Sequence, residues 1–211
     1  MKILLVSATE LELTATEKAF SVDLGHEIEI LVTGVGMLAT SFALGRAFAV
    51  AKYDLAINIG IAGSFDREIE LGEVVEVTQD QFSEEIIEDG EELKTYSEIG
   101  LRKKDDFPFT DGLLYSSFQI PHSILKKVNG ITVNTVHGNE ANIQAIEKRL
   151  SPQTESMEGA AFLYACNSSN VPCLQLRAIS NYVEKRNRAN WKIELALNNL
   201  AKEFKTILKQ L

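Results

Sequence analysis

Cysteine is scarce in this chain of 211 residues: Cys166 and Cys173 are the two present. They lack the spacing and the companions of a structural zinc site, and two buried thiols suit a reducing compartment better than a disulfide-stapled secreted fold. The three histidines are scattered without metal-ligand spacing, so neither a metal nor a cofactor is expected. Long apolar runs are missing too. None approaches the length of a membrane span, and "KILLVS" at the start is too short for a signal peptide and has no cleavage site. Positive charge is in deficit, with 21 Lys and Arg against 30 Asp and Glu for a net charge of -9, and the basic residues form no stripe. That removes nucleic acid from the expected partners. The expectation is a cytoplasmic protein without membrane association.

Linkers, internal repeats and low-complexity segments are absent as well, and residues 1–211 read as a single domain. What remains is alternation. "KILLVS", "EIEILVTG" and "DLAINIGIAGS" are apolar runs suited to strands buried on both faces, the last running into a glycine-punctuated loop. Helical spacing follows in "TELELTATEKAF" and "MLATSFALGRAFAVAK". "EVVEVTQ" alternates like a half-exposed strand. Residues 83–112 read as an irregular, acidic and aromatic excursion. "GITVNTVHGN" is a strand ending in Gly138, then the helix "EANIQAIEKRL", a strand ending near Met157, a helix from Glu158, the strand "PCLQLRAIS", and a helix from about Ala189 to the end. Strands alternating with helices predict an α/β three-layer sandwich with a central mixed, mostly parallel sheet flanked by helices.

In such sheets the polar groups at strand ends gather in one crevice. Those ends carry Glu10 and Glu12, Thr33, the "GIAGS" loop, Asn139 and Glu140, Met157 and Glu158, and Arg177, Ser180 and Asn181. "TGVGM" lacks the Lys-Ser/Thr of a phosphate loop and the third glycine of a dinucleotide fingerprint. No GxSxG elbow is present. Glu10 and Glu12 open a helix, where a favourable dipole interaction is the plain reading. His137 is equally a turn residue or a ligand. Glu158 also opens a helix, but its apolar flanks predict burial, and a buried carboxylate needs a partner or a task.

Three separated motifs, "NIGIAGS", "ESMEGAAF" and "RAIS" followed by Asn181, resemble the nucleoside phosphorylase and nucleosidase superfamily. "MKILLVSATELE" looks like the N-terminal strand that leads to a catalytic Glu in its nucleosidase branch. "ESMEGAAF" and "RAISNYVEKRNRANW" are most similar to the futalosine hydrolases. The order of motifs holds over nearly the whole chain; residues 83–112 match least. The resemblance implies Glu12, Glu158 and Asn181 as catalytic residues, and Thr33, Gly63, Met157, Glu158, Arg177, Ser180 and Asn181 as substrate-binding ones. It also implies a small-molecule nucleoside as substrate and a homodimer or larger homo-oligomer.

The chemistry agrees. Breaking an N-ribosidic bond passes through an oxocarbenium-like sugar. It needs a base for water, a hold on the sugar hydroxyls and a way to neutralise the departing purine. The resemblance gives these tasks to Glu12, to Glu158 with the Met157 backbone, and to Asn181, with Thr33 and Arg177 near the water. A phosphorylase needs cations where phosphate sits, and Glu12 beside Arg177 alone favours water. Adenine-specific nucleosidases of the family carry Asp at the position of Asn181. An amide instead offers a donor to the oxygen of a 6-oxopurine and an acceptor to protonated N7, so hypoxanthine is the expected base. Arg186, Arg188, Trp191, Phe107 and Phe109 are candidates for the benzoate end of futalosine. The alternatives are a methylthioadenosine/S-adenosylhomocysteine or aminofutalosine nucleosidase, a purine nucleoside phosphorylase, and a nucleoside-binding protein without catalysis.

Overall fold

The computed structural model describes residues 1–17 and 25–211. The chain runs β1 (Lys2–Ser7), α1 (Glu10–Glu17), β2 (Glu27–Val32), α2 (Met37–Val50), β3 (Leu55–Ser64), β4 (Val74–Asp80), β5 (Ile86–Asp89), β6 (Glu92–Thr95), β7 (Leu114–Tyr115), β8 (Lys126–Thr132), α3 (Glu140–Leu150), β9 (Thr154–Ser156), α4 (Gly159–Ser168), β10 (Cys173–Tyr182) and α5 (Ile193–Leu208). The far end of the first expected helix, residues 18–20, lies outside the described residues.

The main sheet is mixed. β1 lies between β2 and β3, parallel to both, and the pairs β3–β10, β4–β8 and β8–β9 are also parallel. The pairs β4–β10, β3–β9 and β4–β7 are antiparallel. Because β3 pairs with both β9 and β10, the path β10–β4–β8–β9–β3 returns on itself, and part of the sheet closes into a ring.

β1 shows why its residues had to be apolar on both faces. Ile3 and Leu5 enter a core with Leu13 of α1 and Ala196, Leu200 and Phe204 of α5. Leu4 and Val6, pointing the other way, pack with Leu44 of α2 and Ala160, Phe162 and Leu163 of α4. Helices therefore cover both faces, the layered arrangement expected of near-continuous apolar strands. α5 buries Ala196, Leu197, Leu200, Phe204, Ile207 and Leu208, a single helical stripe. α3 is capped by Asn139, whose side chain accepts from the Ala141 and Asn142 N–H groups, as an N-cap Asn does.

Several elements differ from their sequence reading. "GIAGS" is no loop: β3 continues to Ser64. "EVVEVTQ" is not half-exposed, since β4 is bordered by β10 and β8 and even Glu76 is buried. Residues 83–112 hold the hairpin β5–β6, paired from Ile86↔Thr95 to Asp89↔Glu92. Its two-residue loop is Gly90-Glu91, with glycine at the first position at φ 68°, where tight hairpin turns favour it. The strand expected to end at Gly138 begins earlier and stops at Thr132. The last helix starts at Ile193, after a short helical turn at Arg188–Asn190.

β10 carries one irregularity of consequence. Ile179 pairs with Ala62 and Asn181 with Gly63, so β10 advances two residues while β3 advances one. This bulge places Asn181 beside Gly63.

Candidate active site

A cavity of about 360 Å³ opens at the strand ends. Its wall brings together Glu12, Gly63, Met157, Glu158, Ser180 and Asn181 of the sequence-predicted set. Thr33 and Arg177 are not on that wall.

Glu12 is held from two sides. Thr9 and Glu12 form a reciprocal cap at the start of α1: the Thr9 N–H and hydroxyl donate to Glu12 Oε2 at 3.1 and 2.9 Å, and the Glu12 N–H donates to Thr9 Oγ1 at 3.4 Å. Thr-x-x-Glu is the capping-box pattern, legible in "TELE". The other oxygen, Oε1, accepts from the Ile61 N–H at 3.2 Å. One carboxylate oxygen thus fixes the helix start while the other is set over β3, and the side chain is buried.

Glu158 does not cap its own helix; Ser156 does, accepting from the Gly159 N–H at 3.2 Å. Glu158 Oε1 instead accepts from the Gly36 N–H at 2.9 Å, across from the "TGVGM" turn. Burial pushes the Glu158 carboxyl up from the ordinary range, and the Arg177 charge and the Gly36 N–H pull it partly back. The buried carboxyl foreseen at this helix start is real, and its fixed donors among the described residues are backbone N–H groups, those of Gly36 and Met157.

Arg177 lies under the cavity floor, among the largest fully buried side chains. Its Nε donates to Gln175 Oε1 at 3.1 Å and its Nη2 to Asn58 Oδ1. Asn58 in turn donates to the Val6 carbonyl, and Gln175 to Asp80 Oδ2 at 3.1 Å. Asp80, also bonded to Thr132 and the Gln81 N–H, is pushed up to about 6 by burial against these opposing contacts. A Cβ on Gly60 would stand 2.5 Å from Arg177 Nη1 and 2.9 Å from Glu12 Oε1. Glycine is therefore required where the guanidinium passes beneath the carboxylate. Thr33 turns away: its hydroxyl donates to the Gly34 carbonyl at 2.8 Å and lies 3.3 Å from Thr40 Oγ1.

Asn181 is oriented by its neighbours. Its Oδ1 accepts from the Ser180 hydroxyl at 2.8 Å and its Nδ2 donates to the Tyr182 carbonyl at 3.0 Å. The carbonyl accepts only, which sets the amide's direction. One hydrogen on Nδ2 and one lone pair on Oδ1 remain. A Cβ on Gly63 would meet Asn181 Nδ2 at 3.2 Å and Val183 at 2.9 Å, so this glycine keeps the amide accessible.

Two cavity residues were not assigned a role from sequence. His137 bonds through its ring Nδ1 to Glu155 Oε2, and its backbone N–H donates to Glu155 Oε1 at 3.0 Å. Burial pushes the Glu155 carboxyl up, and the His137 contacts draw it back. Their separation in sequence hid the pair, which forms where the segment after β8 passes β9.

Arg186 and Trp191 are also on the wall, with the guanidinium 5.2 Å from the ring centroid. Arg188 stacks on the same ring at 5.8 Å. Phe109 is elsewhere: it is buried against Phe82, Tyr164 and Arg102. Phe107 is exposed and off the cavity wall. Asn139 is spent on capping α3. Among the described residues no cluster of His, Cys, Asp and Glu has the make-up of a metal site, and no helix is long and apolar enough to cross a membrane.

A mixed sheet between helices, with three buried carboxylates and an amide converging on one cavity, defines a class. The model of the Phosphorylase superfamily matches residues 6–211, and the chain belongs to that family. Among curated relatives, the futalosine hydrolase of Thermus thermophilus is 28% identical, covering 85% of this chain and 80% of the relative. That of Streptomyces coelicolor is 27% identical over 93% and 91%. A 5'-methylthioadenosine/S-adenosylhomocysteine nucleosidase of Glaesserella parasuis is 21% identical over 78% and 72%. In structure, the Helicobacter pylori futalosine hydrolase superposes with a TM-score of 0.82 at 16% identity, covering 100% of this chain and 98% of that one. The methylthioadenosine/S-adenosylhomocysteine nucleosidase of the same organism gives 0.83 at 17%, covering 100% and 99%. These last two show the fold.

Proposed function

We propose that this protein is an N-glycosyl hydrolase acting on futalosine, releasing hypoxanthine and leaving dehypoxanthine futalosine, as a step of menaquinone biosynthesis. The observation that carries the reading is Asn181 on the cavity wall. Its remaining N–H suits the oxygen of a 6-oxopurine and its remaining lone pair suits protonated N7. Curated relatives named futalosine hydrolase support the same choice.

Glu12 is the general base. Its Oε2 is saturated by Thr9, and its Oε1 keeps acceptor capacity for a water at the anomeric face. Glu158, with the Met157 backbone, takes the ribose hydroxyls. A buried carboxylate held only by backbone N–H groups gains from the donors that arrive with the substrate. Arg177 acts from beneath as a positioning residue: its charge holds Glu158 and supports the floor under Glu12. Thr33 shapes the turn whose Gly36 N–H meets Glu158. Ser180 holds the Asn181 amide. Arg186, stacked on Trp191, meets the benzoate.

The enzyme works as a homodimer or larger homo-oligomer. Leu38 and Phe42 of α2 are exposed, as are Leu11 and Val35, which also border the cavity. Free, buried Cys166 and Cys173 accord with the cytoplasm. The test is product analysis without phosphate. Futalosine, aminofutalosine, methylthioadenosine and inosine are incubated with the protein and the free base is followed by chromatography. Hypoxanthine from futalosine with a free sugar supports the reading; a sugar 1-phosphate formed only with phosphate, or adenine release alone, overturns it.

A further inference from the structure

Asn181 reaches one edge of a purine. A 6-oxopurine has a second distinguishing edge, the N1–H donor, where adenine has a bare acceptor. The sheet register supplies a residue for it. Glu155 of β9 and Asn181 of β10 are both paired with Gly63 of β3, one from each side. Residues level with one another on neighbouring strands present their side chains to the same face, and Glu155, Gly63 and Asn181 all line the cavity. Two strand spacings separate Glu155 from Asn181, about 9.6 Å at the backbone. A flat ring laid across Gly63, hydrogen-bonded at N7 on one side and at N1 on the other, needs a span of that order, with each bond at about 2.9 Å. The central residue adds no side chain of its own; Val183 and the Asn181 amide border the position its Cβ would take, at 2.9 and 3.2 Å.

Glu155 is built for such a contact. It is buried, and His137 occupies one lone pair on each oxygen. An ionised carboxylate offers about four acceptor sites, so two remain. The His137 contacts set the direction of the carboxylate and favour its charged form. Neither group belongs to the water-activating or ribose-holding set.

We infer that Glu155, oriented by His137, is the second base-reading residue and accepts a hydrogen bond from N1–H of a 6-oxopurine across Gly63 from Asn181. The inference rests on the reading of the base as hypoxanthine, but it concerns binding and is testable without turnover. Calorimetric titration of the intact protein with free hypoxanthine, 1-methylhypoxanthine and adenine isolates the contact. In the natural protein, methylation at N1 should weaken binding about tenfold or more, the scale of a hydrogen bond to a charged acceptor. Glu155→Gln should weaken hypoxanthine binding about tenfold and narrow its advantage over adenine. The near-isosteric amide should leave the melting temperature within a few degrees. Equal affinity of the natural protein for hypoxanthine and its N1-methyl derivative overturns the inference whatever the variant does, as does failure to bind hypoxanthine. Phosphate-independent release of hypoxanthine from futalosine together with indifference to N1-methylation would remove Glu155 from the base site and leave the proposed reaction standing. Adenine release alone, with N1-dependent hypoxanthine binding retained, would overturn the reaction and leave the contact.

Discussion

Replacing Asn181 by Asp changes one atom, and the surroundings say what that atom does. Nδ2 donates to the Tyr182 carbonyl at 3.0 Å while Oδ1 receives the Ser180 hydroxyl at 2.8 Å. In Asn181→Asp, an oxygen replaces the donor and faces the Tyr182 carbonyl, and the same oxygen faces the oxo group of hypoxanthine. Losing the contact to the base forfeits about 1 kcal/mol net, and setting two acceptors against each other in a desolvated site adds about 1–3 kcal/mol. Together these amount to about 2–4 kcal/mol in the transition state, a fall of about 30- to 1000-fold in kcat/KM for futalosine. Aminofutalosine, with an amino donor at that position, should not suffer the repulsion, so the ratio of the two specificity constants should move by at least about 30-fold. The assay is steady-state release of free base from each substrate, without phosphate, by both proteins. Losing the Tyr182 bond costs about 1 kcal/mol of stability, which for a chain of this size shifts Tm by about 2–4 °C, so the variant stays folded for the comparison. A ratio unchanged by the substitution refutes the assignment of Asn181 to the base and returns the adenine nucleosidases to first place.

The other expectations follow from the same geometry. Glu12→Gln keeps the cap on α1, because Gln serves a capping box as Glu does; it should melt near the natural protein yet lose about a hundredfold or more in kcat, and near-normal turnover would take Glu12 out of its role. Glu158→Gln should weaken cleavage through a lost charge-assisted contact of about 1–3 kcal/mol, and the loss should shrink on a deoxyribose analogue; an equal loss on both sugars marks Glu158 as structural. Asp80 has its folded-state carboxyl raised from 3.8 to about 6, so the folded protein binds the extra proton. Its contribution is favourable below about pH 4 and is lost as pH rises through about 6, by about 3 kcal/mol at most. The stability difference between natural protein and Asp80→Asn should therefore decline across that window in denaturant titrations, and a difference independent of pH contradicts it. Gly60→Ala places a methyl group against Arg177 and Glu12 and should abolish activity and lower Tm, whereas a fully active variant would show the floor to be compliant.

What could be read from the sequence was local or periodic. The two-sided burial of β1 and β3 lies in their unbroken apolar runs, and α3 and α5 lie in their helical spacing. Glu158 stood out because a carboxylate among small apolar residues has few innocent explanations. The hidden features are contacts between distant segments. Arg177 reads as a cavity residue until its bonds to Gln175 and Asn58 are seen. Glu155 and His137 are separated by a helix and meet where the segment after β8 returns beside β9. Phe109 and Phe107 sit one residue apart from Pro108 on either side, yet one is buried and the other exposed, a distinction composition does not carry. β4 looked half-solvated because its alternation contains Glu76, and the ring closure that buries it is a property of the whole sheet. The hairpin turning at Gly90 was marked by that glycine and masked by the acidity around it.

On the proposed reading, the bulge in β10 makes recognition of the base a matter of parity. Strand side chains alternate, so whether Asn181 or Ser180 stands beside Gly63 depends on the one extra residue that β10 carries between Ile179 and Asn181. Were β10 to pair regularly without losing a residue, Ser180 would stand beside Gly63 and Asn181 beside Ser64, and the amide would turn to the opposite face of the sheet. Every residue of the cavity would survive such a slip, and on the proposed reading its ability to tell one purine from another would not. The residue at position 181 could then be exchanged to change the base that is read, while the bulge that sets its phase could not be lost. The register of β10 is the more constrained quantity, and its chemistry the more evolvable one.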